Sequence, residues 1–147
     1  MRYRLRTILI AIAGLCAAIW VLAPKPYSQR LRSALANSER IDVYVFCAST
    51  HEWAIARTLD ATCDEEIDWL ASCLTNDAQE LDYEVASMGD VRLRMLRDDN
   101  ELGVVTLIPT GHVRMVQGDW SGLSEPSNGS QSSVREWLQE NGVESRF

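Results

Sequence analysis

The sequence has few of the side chains that enzymes most often use for catalysis. Its 147 residues include only two histidines, His51 and His112, and a single lysine, Lys25. It has no CxxC pair, no glycine-rich phosphate-binding loop and no two histidines at metal-ligand spacing. These absences argue against zinc-finger and P-loop nucleotide-binding classes, because both need such motifs to hold their ligands.

Two short segments resemble catalytic motifs but fail on spacing. His51 and Glu52 match the first half of the zinc-protease HExxH motif, yet Ile55 stands where the second histidine would be. Ser121, within residues 118–122, is one position late for the GxSxG nucleophile elbow. We therefore predict no catalytic, metal-binding or cofactor-binding residues.

A hydrolase is an alternative hypothesis. Its nucleophile would be Cys47 or Ser121, and its base would be His51 or His112. The hypothesis requires one such pair to lie within hydrogen-bond reach in a shared pocket.

Three clusters of polar residues have structural explanations. The acidic residues between positions 60 and 68 lack the glycine and the oxygen spacing of an EF-hand loop, and a helix start accounts for three of them. Residues 98–101 predict the tip of a hairpin. Residues 128–130 match a glycosylation sequon, which we interpret as a loop. The acidic residues concerned are Asp60, Asp64, Glu65, Glu66 and Asp68.

Charge is divided sharply along the chain. Residues 1–40 contain seven basic residues and one acidic residue, whereas residues 41–147 contain seven basic and 20 acidic residues, a net charge of −13. A domain of that charge repels nucleic acid and anionic bilayer surfaces. We therefore predict no nucleic-acid partner, and a cationic protein as the partner if one exists.

An apolar run near the N-terminus predicts a membrane anchor. Residues 1–6 form a basic flank with three arginines, and residues 7–23 contain no charged residue. The run is long enough to span a bilayer as a helix, and Pro24 would block cleavage at the best-placed signal-peptidase site. We therefore predict an uncleaved transmembrane anchor at residues 7–23, in contact with the lipid bilayer.

The opening MRYRLRTILI resembles the start of bacterial membrane-anchored proteins. The resemblance covers about ten residues and the apolar run, and it implies a protein of the bacterial envelope. Basic residues on the two sides of the run are nearly balanced, but long soluble domains translocate largely regardless of their charge. We therefore expect a single-pass protein whose C-terminal domain is extracytoplasmic.

The four cysteines leave two redox states open. Cys16 lies in the apolar run, and Cys47, Cys63 and Cys73 follow it. Cys63 and Cys73 fall on one predicted helix with about 15 Å of rise between them, which is too far for a disulfide. A disulfide would therefore use Cys47; the alternative is three reduced, buried thiols.

Hydrophobic periodicity predicts the first half of the domain. Residues 24–40 predict a juxtamembrane linker with a short basic helix over 28–39. Residues 41–46 and 53–59 predict a hairpin, although Ser49 and Glu52 also match a capping box that would start a helix. Residues 62–65 form a stronger capping box, ahead of an amphipathic helix over 63–75.

The second half predicts more strands and one helix. Residues 83–85 predict a short strand, and residues 91–95, 104–108 and 113–115 a three-stranded meander. Residues 121–133 predict a mobile loop, followed by a helix from Ser133 that stops at Asn141 and Gly142. We therefore predict an α+β domain over residues 41–147, in the order ββαβββα, with an antiparallel sheet and helices on one face.

Overall fold

The computed structural model describes Ile10, Ile12 and residues 26–60, 64–83, 85 and 87–147. The predicted basic flank, and all of the predicted anchor except Ile10 and Ile12, lie outside the described residues. Within the described part, no helix has the length and apolar character needed to cross a membrane.

The described chain forms one seven-stranded sheet and three helices. All strand pairs are antiparallel, and the strand order is β2-β1-β4-β5-β6-β7-β3. This confirms the predicted α+β class with an antiparallel sheet. The elements are α1 Tyr27–Ala36, β1 Arg40–Cys47, β2 Glu52–Asp60, α2 Asp64–Thr75, β3 Gln79–Leu81, β4 Val91–Arg97, β5 Asn100–Leu107, β6 Val113–Gln117, β7 Trp120–Glu125 and α3 Asn128–Glu140.

One face of the sheet forms the hydrophobic core. Every second side chain of the central strands is buried there, because successive residues of a strand point to opposite faces. All three helices contribute to the same cluster, so the helices cover this face. The strand residues include Ile41, Val43, Val91, Leu93, Met95, Val113 and Met115, and the helix residues include Leu31, Leu35, Leu70, Leu74, Val134 and Leu138.

The helix predicted beside the membrane is a buried element of this core. Leu31 and Leu35 of α1 are fully buried in the main cluster. Arg32 reaches α2, where its Nε donates to Thr75 Oγ1 at 2.9 Å. In the described part of the chain, α1 is therefore held by core contacts.

The first hairpin and the second helix agree with the sequence. β1 pairs with β2, so the strand interpretation of residues 53–59 is confirmed and the helical alternative is wrong. A β-bulge between Val43 and Tyr44 shifts the register of this pair. The helix predicted over 63–75 is confirmed as α2, whereas Thr62 and Cys63 of its predicted capping box lie outside the described residues.

Two strands in the second half differ from the prediction. The short strand is Gln79–Leu81 rather than residues 83–85. The predicted loop contains β7, which pairs with both β6 and β3. Small residues fit in this strand because larger side chains cover them: a Cβ added to Gly122 would lie 2.5 Å from the Trp120 ring. The order ββαβββα is therefore too short by α1, β3 and β7.

The last helix starts earlier than its sequence suggests. Ser127 caps α3 by accepting a hydrogen bond from the backbone N–H of Ser130, so the start predicted at Ser133 is wrong. The predicted stop at Asn141 and Gly142 is confirmed. The Val143 N–H donates to the Leu138 carbonyl at 2.8 Å, as in a Schellman motif.

Candidate functional site

The face of the sheet opposite the helices carries a row of polar and cationic side chains. We call it the open face. In the strand register Tyr44 faces Arg92, Arg92 faces Thr106, and Thr106 faces Arg114. The row therefore crosses four neighbouring strands, from β1 to β6. These positions alternate with the buried core residues of the same strands, which is why their side chains point away from the helices.

The β2 side of the open face is aromatic. Phe46 and Trp53 face each other across β1 and β2, and their ring centroids are 5.4 Å apart. The guanidinium carbon of Arg92 lies 4.0 Å from the centroid of the Trp53 ring, a cation–π contact. Ile55 extends this side of the face and is 56% exposed. The aromatic pair therefore both supports Arg92 and presents apolar surface to solvent.

Two adjoining cavities occupy the other side of the open face. The larger, of about 580 Å³, is lined by the row residues Arg92, Thr106 and Arg114 and by apolar residues of β5, β6 and the segment before β4. The smaller, of about 400 Å³, lies toward β3 and β7. Arg114 and Val116 line both cavities, and Arg114 donates to the Val85 carbonyl at 2.5 Å. Arg114 thus stands between them.

A close backbone approach forms the wall of the larger cavity. Gly89 has φ +68°, and a Cβ there would lie 2.4 Å from Thr106 Cγ2 and 2.6 Å from the Leu107 carbonyl oxygen. Only glycine adopts this conformation without strain and leaves the segment room to lie directly on β5. Residues 87–89 therefore lie against the sheet beside the cationic row.

The arginines of the open face differ in their charge partners. Arg94 pairs with Glu101 at 2.8 Å, and Arg40 pairs with Asp42 at 3.4 Å. Among the described residues, no carboxylate lies within 4 Å of the guanidinium nitrogens of Arg92 or Arg114.

Burial also affects the electrostatics of Arg92. It lowers the pKa of this guanidinium from its usual value because charge is disfavoured away from water, but an arginine remains protonated at neutral pH. The larger cavity therefore holds two positive charges that no described acidic side chain neutralises, in a chain of net charge −7.

The first candidate catalytic pair lies at the β1–β2 turn. Cys47 Sγ is 3.1 Å from Ser49 Oγ. Hydrogen bonds from the side chains of Ser49 and then Thr50 lower the pKa of the Cys47 thiol to about 7. His51 has φ +58° and contacts the Phe46 ring instead of the thiol. Within the described part of the chain, no hydrogen bond joins Cys47 to a histidine.

The second candidate pair is also separated. His112 Nδ1 lies 2.7 Å from Thr110 Oγ1, and its ring contacts Tyr83. Ser121 lines the smaller cavity, where Arg114 is its cationic neighbour. No hydrogen bond between Ser121 and a histidine is present among the described residues. Asp82 is the acidic group of this cavity.

The described cysteines and acidic residues form no metal or disulfide site. Cys47 and Cys73 are both free thiols, and Cys63 lies outside the described residues. In the described ranges, no group of three or more His, Cys, Asp or Glu side chains is arranged to hold a metal ion. The acidic residues predicted to start a helix do lie in the first turns of α2.

Sequence reasoning missed Arg92 and Arg114 as functional candidates, although a signal was present. Both alternate with buried residues, Arg92 between Val91 and Leu93 and Arg114 before Met115. An arginine at such a position lies on the face away from the core. In a domain of charge −13, the placement of these cations on one face was the pattern that could have identified them as functional candidates.

No protein-family model, curated protein or solved structure matches this chain.

Proposed function

We propose that this chain is a membrane-anchored, non-enzymatic protein of the bacterial envelope, and that its open face binds a protein partner. The observation that carries the proposal is the pairing of exposed apolar side chains with cations that lack a carboxylate partner among the described residues. Ile55, Met88 and Val116 are 56%, 73% and 39% exposed. Arg92 and Arg114 lie among them. Arginine, methionine and aromatic residues are enriched at protein–protein interfaces.

The position of the folded unit supports the anchoring part of the proposal. Tyr27, the first residue of α1, follows the apolar run of residues 7–23 after only three residues. A domain joined to a bilayer by so short a linker samples a small volume next to the membrane, which favours encounters with other envelope proteins. We place the domain on the extracytoplasmic side, because long soluble domains translocate largely regardless of charge.

Partner capture by the full chain in detergent tests the proposal. The open-face variant combines Ile55→Gln with Met88→Gln, which removes exposed apolar surface without burying a polar group. The matched control combines Glu136→Gln with Glu140→Gln on α3, where both side chains are exposed. We expect the open-face variant to lose a partner captured from envelope extract and the control to retain it. Loss in the control alone would overturn the assignment of the face.

A second candidate function is inhibition of a basic protein by charge complementarity. The observation in its favour is α2 and the turn after it, where residues 64–77 contain five acidic residues and no basic residue. Glu65, Asp68 and Asp77 are exposed. A cationic partner would be steered to this surface, and salt would slow its association. An association rate that does not change between low and high salt would remove this candidate.

A further inference from the structure

We propose that the larger cavity of the open face binds a carboxylate that carries an apolar chain. The carboxylate would lie between Arg92 and Arg114, over Thr106, and the chain would lie along the apolar wall. This goes beyond the contact with a protein partner, because a free aliphatic acid would occupy the cavity with or without that partner. The same chemistry is present in the C-terminal residue of a peptide.

Three side chains with donor groups lie next to one another in the row. Arg92 and Arg114 each face Thr106 in the strand register, from opposite sides. Neighbouring strands are about 4.8 Å apart, so the two arginine backbones are separated by about 10 Å and their long side chains can reach one group between them. Arginine donors match the two oxygens of a carboxylate.

Thr106 lies at the centre of the row. Its side chain lines the larger cavity and the residue is only 8% exposed. Among the described residues its hydroxyl has no hydrogen-bond partner, and its methyl group points to Gly89. The hydroxyl is therefore available to donate to an acceptor that binds in the cavity.

The charges favour an anion over an uncharged ligand. Arg92 contacts the Trp53 ring and Arg114 donates to the Val85 carbonyl, but neither contact supplies a negative charge. Two like charges that share a partly desolvated cavity repel each other, and a bound anion relieves the repulsion. Arg94, on the same strand, differs from them because it forms an ion pair with Glu101 and is neutralised within the chain.

The apolar wall favours a carboxylate with an alkyl chain over a free phosphate, because phosphate has no apolar part to place against it. The rest of the lining includes Val104, Val116 and Met88, which suit an alkyl chain. The volume of about 580 Å³ is within the range of small-molecule sites. In the adjoining cavity, Asp82 would repel a second anionic group.

Side-chain NMR of the full chain in detergent tests the proposal directly. The probes are hexanoate, hexanamide, N-acetyl-valyl-leucine, its C-terminal amide and inorganic phosphate. We expect the two acids to shift the arginine Nε–H signals of Arg92 and Arg114 in a saturable way, and the two amides to leave them unchanged. The proposal would be overturned if acids and amides bound with equal affinity, or if neither acid reached saturation. Tighter binding of phosphate than of the acids would also overturn it.

The two acids distinguish the sources of the carboxylate. Similar affinities for hexanoate and N-acetyl-valyl-leucine would support the site. They would assign it to a free acid, because the peptide group would then add nothing to the affinity. Saturation by N-acetyl-valyl-leucine alone would support the site and assign it to a peptide C-terminus. Because no protein partner is needed in this titration, its outcome is separate from that of partner capture.

Two variants and a matched control establish which side chains bind the probe. Arg92→Gln and Arg114→Gln should each weaken hexanoate binding about tenfold or more, because each removes hydrogen bonds to a charged group. Arg94→Gln, on the same strand and face but outside the cavity, should change the affinity by less than about twofold. If Arg92→Gln does not fold, Arg92→Lys keeps the charge but loses the planar fork, and should still weaken binding. Equal effects at positions 92 and 94 would overturn the assignment.

Discussion

At the residue scale, the β1–β2 turn places a thiol where its hydrogen bonds stabilise the charged form. Cys47 Sγ lies 3.1 Å from Ser49 Oγ, and hydrogen bonding by Ser49 and then Thr50 lowers the pKa of the thiol to about 7. Cys73 in α2 is the opposite case, since burial raises the pKa of its thiol above the usual value. The thiolate is the reactive form of cysteine, so the two residues should differ in reactivity near neutral pH.

We therefore expect Cys47 to be alkylated faster than Cys73 at pH 7. Because a lowered pKa leaves the thiolate populated above about pH 7, its rate should rise steeply between pH 6 and 8 and then level off. Site-resolved mass spectrometry after a short iodoacetamide pulse on the native full chain measures both rates. The variant Ser49→Ala should move the Cys47 midpoint to higher pH. A Cys47 midpoint that stays above pH 8.5 in the unmodified chain would contradict the hydrogen-bond account.

A second effect at the residue scale concerns Gly89. Gly89→Ala forces an alanine into φ +68° and places its Cβ against Thr106 and the Leu107 backbone. Gly118→Ala is the matched control, because Gly118 has φ +57° and nothing lies within 4 Å of its added Cβ. The control should cost about 1 kcal/mol of unfolding free energy, and Gly89→Ala clearly more, about 2–4 kcal/mol. Denaturant unfolding of the full chain in detergent measures both, and equal losses would mean that the close approach is absent.

At the element scale, α1 is part of the domain core, although the sequence predicted it as part of a linker. It contributes Tyr27, Leu31, Ala34 and Leu35 to the main cluster, all of them almost fully buried. A fragment that starts at residue 41 would therefore lose the apolar cover of α2 and β7. The sequence favoured a linker here because Arg30, Arg32 and the polar residues around them dominate its composition.

This placement predicts different behaviour for two fragments. Residues 26–147 should unfold cooperatively in denaturant, whereas residues 41–147 should show a lower midpoint and a weaker cooperative transition. The physical reason is that removing α1 takes away the buried side chains of Leu31, Ala34 and Leu35, and so exposes the apolar surface of α2 and β7 that they cover. Indistinguishable midpoints for the two fragments would show that α1 adds nothing to the stability of the core.

At the scale of the whole molecule, the sequence predicted the class of fold because its strongest signals are periodic. The alternation over β4 and β6 and the helical spacing of α2 are strong because one face of each element is buried. The prediction failed for β7, where Gly122 and Ser124 occupy core-facing positions normally filled by larger residues. Tyr27 and Trp120 supply the missing volume from elsewhere in the chain, and no local pattern encodes that compensation.

The sequence did not predict the candidate site for a related reason. Net charge is a property of the whole chain, and it predicted a cationic partner. The strand register collects Arg92 and Arg114 on one face, where no described carboxylate lies within 4 Å of their guanidinium nitrogens. Which charges become neighbours depends on the pairing of β4, β5 and β6, and local periodicity does not determine that pairing.

Site-specific photo-crosslinking in intact membranes tests the central claim, which is that the open face binds the partner. A photoreactive amino acid would replace Val116 on the open face, and in a second variant Glu136 on the exposed side of α3. We expect irradiation of the full chain in those membranes to give a discrete protein adduct from position 116 and none from position 136. An adduct from position 136 with none from position 116 would contradict the account, because it would place the partner on the helical side of the domain.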